Sequence, residues 1–346
     1  MRLKKIIFII LTFLSSHIFW AQVKTDSLFV ANPYIKSTLD HINVKFDIES
    51  NGERFDLKGS NFEYDIRPNT SSTSRLSVNY MFISLSYSYV PLFIPGNNDD
   101  ALKGKTRVNN FGLQLNFNHW NQELQYGKVT GFYLENSQDF LNPSDPNNPA
   151  YILVPDLKVV SFRGATSYKF NSNFSQKAIS TQTEIQLKSA GSFIPGVLYN
   201  YYLIDNKSND PSQQTSQKSK NFEFLANFGY YYTLVLNKRW YSSLGIAPSI
   251  GINYTNLLTR YPNEYVHTNF SSALYRINGK AGLGYNGERF FGGLELSSFK
   301  SFKKDNSPSV TIASTYFAYQ FFIGYRFNAP KKLKTTVENI QSKSPL

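Results

Sequence analysis

The chain of 346 residues contains no cysteine, only two methionines and three tryptophans, and four histidines. The absence of cysteine excludes disulfide bridges, thiolate metal sites and lipid attachment to an N-terminal cysteine. Beyond its N-terminus the sequence also lacks any run of about 20 apolar residues, which a membrane-spanning helix requires. A chain without disulfide bridges must be stabilised in another way, and a closed β-sheet is one.

Large rings and basic residues are abundant instead. The chain has 29 Phe and 24 Tyr, a mean hydropathy of −0.35 and a formal net charge of +12. A basic balance can indicate nucleic acid or an anionic surface as a partner. Here the charges are spread singly along the chain, and the one cluster is Lys331, Lys332 and Lys334. We therefore expect no nucleic-acid partner.

The first 22 residues have the features of a secretory signal peptide. Arg2, Lys4 and Lys5 form a positive start, Ile6–Leu14 is apolar apart from one threonine, and Ala21 is a suitable last residue before cleavage. An uncleaved membrane anchor is the alternative, but the apolar run is short for that role. The pattern predicts residues 1–22 as a signal peptide cleaved near Ala21.

From Ile42 onward, apolar and polar residues alternate with period two, which is typical of β-strands with two different faces. In Ile83–Tyr89 four apolar or aromatic residues alternate with three serines. The same rhythm marks Arg75–Tyr80, Phe111–Asn118, Phe162–Phe170, Phe222–Leu234, Leu244–Tyr254, Tyr275–Tyr285 and Tyr319–Phe327. Many runs exceed the roughly 5 or 6 residues of a soluble strand and reach the roughly 9–11 of a tilted membrane strand.

The connections between these runs differ in length. Asn237–Arg239, Asn286–Glu288 and His119–Asn121 are tight, whereas Pro95–Lys105, Glu135–Asp156, Asp205–Lys220 and Asn256–Asn269 are long and polar. Short periplasmic turns opposite long extracellular loops are typical of antiparallel transmembrane β-barrels. The sequence therefore predicts an all-β barrel of about 12 strands, with 10 or 14 as alternatives.

An even number of passes must separate any two long loops. To keep that parity, we interpret Phe174–Ile204 as one irregular pass, interrupted around Ser189–Ser192. The predicted organisation is a lead-in at 23–52, with Ile42–Ile48 as a further strand or part of that lead-in, a barrel at 53–328 and a flexible basic periplasmic tail at 329–346.

Alternation also nominates side chains that line the lumen. Glu184, Gln186 and Lys188 share one inward face, Arg276 and Lys280 share another, and Glu295 lies beside the second. Charges inside a barrel must be paired or solvated. These residues therefore either line a selective pore or form ion pairs that fill the lumen.

The sequence predicts no catalytic constellation, metal site or cofactor. An outer-membrane hydrolase would need a serine and a histidine close together, and the residue two positions after His119 is Asn121. Histidines at metal-ligand spacing are also lacking. A hydrolase is thus the least favoured alternative, with His119 as its test position.

Three stretches resemble motifs of a known family. They are Tyr64–Thr70 with Arg67, Pro68 and Asn69, then Gly131–Tyr133, and finally Gln186–Phe193 with Lys188, Ser189, Ala190, Gly191, Ser192 and Phe193. The chain is similar in these stretches to the Bacteroidota outer-membrane barrels of domain-of-unknown-function family 4421, although Leu187 departs from the pattern. The resemblance implies a porin-like barrel and carries no assigned activity.

Two functions follow as hypotheses. The first is a porin-like channel of the outer membrane for small polar solutes. The second is a plugged structural barrel that anchors or completes an envelope complex. The expected partners are outer-membrane lipid, the barrel-assembly machinery and, for the second hypothesis, an envelope protein.

Overall fold

A computed structural model describes residues 32–38, 40–50, 55–58, 63–141, 149–207, 215–237, 239–304 and 315–335. The predicted signal peptide and most of the predicted tail lie outside these ranges. The chain divides into two units, of which Pro33–Phe327 is the larger. In the smaller unit residues 331–335 form a helical turn, in which the Lys334 amide donates to the Pro330 carbonyl over 3.1 Å.

The described chain is dominated by β-strands. They are β1 (Ile35–Ser37), β2 (His41–Ser50), β3 (Phe55–Lys58), β4 (Glu63–Arg67), β5 (Ser72–Tyr80), β6 (Ile83–Tyr89), β7 (Arg107–Asn116), β8 (Trp120–Leu134), β9 (Ile152–Tyr168), β10 (Glu184–Gln186), β11 (Ala190–Asn206), β12 (Ser216–Val235), β13 (Trp240–Arg260), β14 (Tyr265–Asn286), β15 (Phe290–Lys304) and β16 (Thr315–Asn328). The short helices are α1 (Asp100–Lys103), α2 (Lys177–Ser180) and a 3₁₀ turn at Ser137–Asp139.

Twelve of these strands close into an antiparallel barrel. Around the ring the order is β2, β5, β6, β7, β8, β9, β11, β12, β13, β14, β15 and β16, and β16 pairs back with β2. Closure leaves no free sheet edge around the ring. The predicted fold class and strand number are confirmed.

The identity of the twelve strands differs from the expectation. The ring starts at β2, so the segment Ile42–Ile48 belongs to the wall. The next two strands, β3 and β4, form a hairpin that joins the sheet only beside the end of β8, where Ile66 pairs with Leu134. Because the hairpin pairs only with the end of β8 and not along its length, it adds no strand to the ring.

The two ends of the barrel differ in their connections. At the short-turn end, residues 81–82, 117–119, 236–239 and 287–289 join neighbouring strands, together with the longer segment 169–189. At the long-loop end the described parts of the connections are residues 63–71, 90–106, 135–141, 149–151 and 261–264. The predicted loop Asn256–Asn269 was wrong in extent. Its residues pair across β13 and β14 as far as Arg260 and Tyr265, because polar side chains do not end a strand that has a paired neighbour.

The outward face of the barrel is apolar and aromatic. Large exposed side chains alternate along its strands, among them Phe222, Phe224, Phe228, Tyr230, Tyr232, Leu244, Ile246, Ile250 and Ile252. Rings also contact each other next to the short turns, as in the pairs Trp120–Tyr168, Trp240–Tyr285 and Phe290–Tyr325. An apolar band with an aromatic girdle is the surface of a transmembrane barrel.

A small apolar core lies at the long-loop end. Ile66 of β4 is buried there with Val108, Val129, Phe132, Leu134, Leu157 and Val159 of strands β7, β8 and β9. The pairing of β8 with β9 shifts between Thr130 and Phe132, where Gly131 has φ +82°. This bulge turns Phe132 and Leu134 into the core, since one extra residue reverses which face the following side chains occupy.

Candidate functional site

The connection between β9 and β11, residues 169–189, forms a compact structure at the short-turn end; we call it the plug segment. It contains α2 and β10, and β10 pairs with β1 so that Lys36 lies opposite Ile185. Phe174, Gln182 and Ile185 of this segment are buried. The irregular pass predicted at Phe174–Ile204 was therefore wrong: only the part from Ala190 onward crosses as a strand, β11.

Asparagine and lysine side chains of β2 fix the plug segment to the wall. The Asn43 amide donates to the carbonyls of Gln182 and Thr181 over 2.6 and 3.2 Å. Two residues further along β2, on the same face, the Lys45 ammonium donates to the Ser180 carbonyl over 3.1 Å. Because these wall residues point inward, the backbone of the plug segment lies within the mouth of the barrel.

Arg326 of β16 is the largest fully buried side chain among the described residues. Its Nη2 donates to the Gln182 carbonyl and to Asn286 Oδ1, each over 2.5 Å, and its Nη1 donates to the Gly287 carbonyl. The guanidinium also lies over the Phe291 ring, 4.8 Å from its centre. This one cation therefore joins the plug segment to β14, β15 and the turn between them.

The plug segment spans the whole mouth. Asn286 of β14 donates to the carbonyls of Glu184 and Ala178 over 3.1 and 3.3 Å. On β7, the Gln114 amide reaches Ser180 Oγ over 3.5 Å. Since β7 and β14 stand six strands apart in the ring of twelve, the segment contacts opposite sides of the wall.

Three of the predicted lumen residues belong to the plug segment, which corrects their assignment to the wall. Glu184 accepts a hydrogen bond from Ser175 Oγ over 2.5 Å and pairs with Lys177 at 3.4 Å. The Gln186 amide donates to the carbonyls of Asn173 and Lys188 over 2.7 and 2.9 Å. The Lys188 ammonium lies 5.3 Å from the centre of the Tyr34 ring. Polar residues can therefore alternate in the same way in a segment that lies in the mouth of the barrel and is not a strand of its wall.

The motif Lys188–Phe193 forms the junction between the plug segment and β11. Ser189 Oγ accepts from the Val235 amide, and Ser192 Oγ accepts from the Asn171 amide over 3.0 Å. Ala190 is buried against Phe174, while Phe193 stacks on Phe170 on the outward side. At Gly191 a Cβ would lie 2.7 Å from the Tyr230 hydroxyl. Small residues are therefore required where the chain enters the wall.

The other two motifs meet at the long-loop end. Arg67 donates to Asp65 Oδ1 over 2.9 Å and lies 3.7 Å from Glu135. Asn69 binds the Gly104 carbonyl over 2.7 Å and Pro68 is buried. A Cβ at Gly131 would lie 2.1 Å from the Lys105 carbonyl oxygen, so this position requires glycine. These residues support the apolar core rather than the lumen.

Ion pairs line the inward face of the wall. Arg75 pairs with Glu49 at 2.5 Å, Arg276 with Glu223 at 2.9 Å and Lys45 with Asp47 at 3.3 Å. Asp47 also accepts from Gln320, and Glu49 from the Tyr316 hydroxyl. Of the other nominated residues, Arg276 lies opposite Ser301, Lys280 opposite Ser297 and Glu295 opposite Gly282 in the pairing of β14 with β15.

A polar cavity of about 310 Å³ lies in the lumen on the inner side of the plug segment. Ser180 belongs to its lining, together with Arg163, Arg276, Gln125 and Asn200 from the wall. Serines of β5 and β6 complete much of the remaining surface. A cavity of this composition is suited to water and small polar molecules rather than to an apolar ligand.

Two charged groups of the short-turn end have shifted pKa values. Burial lowers the pKa of Lys169 to about 8, although Glu184 acts in the opposite direction; its ammonium donates to the Phe174 carbonyl over 2.7 Å. Hydrogen bonds of 2.7 and 2.8 Å from Lys36 hold the pKa of Glu288 below its usual range. The shift of Lys169 therefore reflects burial within the plug segment. The shift of Glu288 reflects the contact of β1 with the turn between β14 and β15.

His119, the test position for a hydrolase, lies in the turn between β7 and β8. Its Nδ1 is 2.7 Å from the Lys169 carbonyl, and its ring stacks on Tyr168. Within the described ranges, no group of three or more His, Asp or Glu side chains is arranged to hold a metal ion. In the same part of the chain, no helix has the length and apolar character needed to cross a membrane.

Residues 24–327 match the sequence model of a family described as "Domain of unknown function (DUF4421)". The chain belongs to this family. The resemblance seen in the three sequence motifs is therefore confirmed at the level of the family. The matched range covers nearly the whole barrel. A comparison with curated proteins finds no significant sequence match.

Comparison with solved structures finds bacterial outer-membrane proteins. The outer membrane protease OmpT of Escherichia coli has 9% identity and a TM-score of 0.39, with 84% of this chain and 96% of that chain covered. The β domain of the Bordetella autotransporter BrkA has 10% identity and a TM-score of 0.38, with 84% and 100% covered. A FadL homologue of Pseudomonas aeruginosa has 10% identity and a TM-score of 0.22, with 86% and 90% covered. Similarity at this level carries no information about activity.

Three wall residues that bind the plug segment, Asn43, Asn286 and Arg326, were not among those nominated from the sequence. Asn43 and Arg326 occupy inward positions of β2 and β16, and Asn286 ends β14. Alternation could have placed Arg326 inward, because Phe322 and Gly324 share its parity. The sequence carried no signal that its partner would be the backbone of residues more than 140 positions earlier.

Proposed function

We propose that this protein is an integral outer-membrane barrel that acts as a porin-like channel for small polar solutes and is closed in the described state by the plug segment. The observation that carries the proposal is the hydrogen bonding of residues 178–184 to β2, β7, β14 and β16 across the mouth. Passage through the lumen then requires this segment to move.

Polar contacts make such movement feasible. The bonds of Asn43, Lys45, Asn286 and Arg326 to the plug segment all end on backbone carbonyls. A hydrogen bond in a folded protein contributes about 0.5–1.5 kcal/mol net, because water replaces it when it opens. These hydrogen bonds can therefore open at lower cost than an apolar core of similar size.

Single-channel conductance in a planar bilayer tests the proposal. We expect the intact barrel to show rare openings, whereas a variant with residues 176–183 replaced by two glycines should conduct continuously. The matched control replaces α1 (Asp100–Lys103) at the long-loop end by two glycines and should behave as the intact protein. A folded plug-less variant that conducts no more than the intact barrel would overturn the proposal.

A permanently plugged barrel that anchors or completes an envelope complex is the second candidate. The contact of the plug segment with opposite sides of the ring favours it, because four wall strands hold the segment at once. This candidate predicts that the intact barrel shows no openings at all under any voltage that the bilayer survives. Its partner would be an envelope protein that binds at one end of the barrel.

Further features of the proposal rest on the barrel surface and on the sequence. The outward apolar band and aromatic girdle support lipid as the surrounding phase. We propose that the barrel-assembly machinery inserts the chain, with the aromatic end of β16 as its recognition strand, after cleavage near Ala21. A source in the Bacteroidota and the lack of enzymatic activity stay predictions.

A further inference from the structure

We propose that the outer surface of β7, β8 and β9 binds a phosphorylated lipid near the long-loop end of the barrel. The phosphate lies on a basic patch, which consists of Arg107, Lys128 and Lys158, one residue from each strand. An acyl chain lies in an apolar groove on the same surface. Because the site is on the outside of the wall, it goes beyond the proposed channel and does not depend on an open lumen.

The apolar core of the long-loop end shows that the three cations point outward. Each cation is next in sequence to residues that are buried in that core, namely Val108, Val129, Leu157 and Val159. Since successive side chains of a strand point to opposite faces, the cations project from the outer face. The core therefore lies directly behind the basic patch and fixes the three strands that carry it.

Strand pairing places the three cations around a single threonine. Arg107 and Lys158 lie opposite Thr130 from either side. Lys128 precedes Thr130 by two residues and therefore shares its face. Paired strands are about 4.8 Å apart and diagonal neighbours about 7–8 Å, so these long side chains can reach one phosphate together. Charged donors form strong hydrogen bonds to phosphate oxygens, and the Thr130 hydroxyl adds a neutral donor.

Within the described ranges, the three cations form no ion pair with a carboxylate. Asp205 lies opposite Lys158 in the pairing of β9 with β11. Its carboxylate accepts a hydrogen bond from Arg260 over 2.6 Å and lies 3.9 Å from Lys218. Asp156, two residues before Lys158, is exposed. The basic patch therefore keeps its positive charge available for an anion from outside the chain.

An apolar groove of about 540 Å³ adjoins the basic patch on the outer surface. Phe111, Tyr126 and Phe162 line it and are paired directly across the three strands. Each ring lies two or four residues from the cation of its own strand, on the side of the short turns. The groove also contains five aliphatic side chains, Leu76, Val78, Leu85, Leu113 and Leu124.

A cationic patch beside an apolar groove is complementary to a molecule with an anionic head and a hydrocarbon tail. Soluble phosphate would leave the groove empty, whereas a neutral lipid would leave the cations without a partner. Long loops of barrels of this type face the outside of the cell. The lipid therefore belongs to the outer leaflet of the membrane.

Native mass spectrometry of the detergent-solubilised, intact barrel tests the site by counting bound lipids. The probes are dioleoyl phosphatidic acid and dioleoylglycerol, which have the same acyl chains and differ in the phosphate. We expect one phosphatidic acid per barrel and no dioleoylglycerol at the same concentration. Inorganic phosphate at that concentration should not displace the lipid, because it has no chain to fill the groove.

Three variants remove the charges of the patch one at a time: Arg107→Gln, Lys128→Gln and Lys158→Gln. Each should weaken the binding of phosphatidic acid about fivefold, and all three together about a hundredfold. The matched control is Lys300→Gln. Lys300 is an exposed lysine of β15 whose paired neighbours, Ile277 and Thr315, are uncharged, so binding should stay unchanged.

Two further variants keep the test sharp if a glutamine variant does not fold. Lys128→Arg retains the charge and should retain the binding, whereas Leu113→Trp narrows the groove without altering any charge and should weaken it. Equal weakening by Lys128→Gln and Lys300→Gln would overturn the inference, as would equal binding of the two lipids. Displacement of the lipid by inorganic phosphate would identify a phosphate site without a lipid and overturn it too. None of these results bears on the conductance of the plug-less variant.

Discussion

The two ends of the barrel differ in the balance of their contacts, although the short-turn end also has a small apolar cluster of Phe174, Ala190 and Ile194. At the long-loop end, Ile66, Phe132 and Leu134 belong to an apolar core. At the short-turn end, Asn43, Asn286 and Arg326 hold the plug segment through hydrogen bonds to its carbonyls. When an apolar contact opens, water does not compensate for the lost burial, whereas water replaces a hydrogen bond that opens. On the proposed channel function, the long-loop core is the permanent part and the plug segment is the part that moves.

The largest effect is expected from Arg326→Ala. The change leaves the carbonyls of Gln182 and Gly287 and Asn286 Oδ1 without their buried donor. Loss of hydrogen bonds from a buried charged group should lower the stability of the short-turn end by about 3 kcal/mol or more. Hydrogen exchange of the plug segment measures this. Arg239→Ala, in an exposed turn, is the matched control, and equal protection in both variants would contradict the assigned role.

Substitution of Gly131 by alanine should produce the next largest effect, this time confined to the long-loop end. With φ +82° and a Cβ 2.1 Å from the Lys105 carbonyl oxygen, the variant should lose about 1–3 kcal/mol. Conductance and exchange at the plug segment should stay unchanged. Gly279→Ala, where a Cβ meets only Ser298 Oγ at 3.2 Å, serves for comparison, and similar losses in the two variants would argue against strain at the bulge.

A smaller effect should appear as a pH dependence of the short-turn end alone. The pKa of Lys169 is lowered to about 8 by burial, so between pH 8 and about 10.5 the unfolded chain retains a proton that the folded chain has lost. Stability of the plug segment should therefore rise with pH across that interval and be independent of this group below it. Lys169→Met should remove the slope seen by hydrogen exchange; an unchanged slope would exclude Lys169 as its source.

The smallest effect is expected at the exposed pair of Lys36 and Glu288. Their side chains are 48% and 61% exposed, and ion pairs of this kind contribute about 0–1 kcal/mol. Lys36→Ala should shift the thermal midpoint only slightly, and raising the salt concentration should abolish the difference. A shift as large as that of Arg326→Ala would mean that β1, rather than β16, holds the plug segment.

The barrel was predictable from the sequence because its faces alternate. Period two along Ile83–Tyr89 or Phe222–Leu234 places apolar rings on one side, and the parity of the loops gave the strand number. The same alternation misled at Phe174–Ile204. Residues 184–186 do form a strand, but it pairs with β1 rather than with the wall, and periodicity alone cannot identify the partner of a strand.

The candidate site was predictable only in part. Arg276, Lys280 and Glu295 could be placed inward by counting residues. The contacts of Arg326 and Asn43 could not be derived in that way, since both bind backbone carbonyls that carry no residue-specific signal. The motif Lys188–Phe193 stood out by its small residues, and its role as the junction between plug segment and wall became clear from the close contacts of Gly191 and Ser192.

Disulfide trapping tests the central claim most directly, because the chain contains no cysteine of its own. Gln114→Cys combined with Ser180→Cys places two thiols on side chains of the wall and of the plug segment that now meet over 3.5 Å. We expect oxidation to link them in the folded barrel and to silence its openings, and we expect reduction to restore those openings. A folded barrel that forms no link between positions 114 and 180 under oxidation would show that the plug segment does not occupy the mouth.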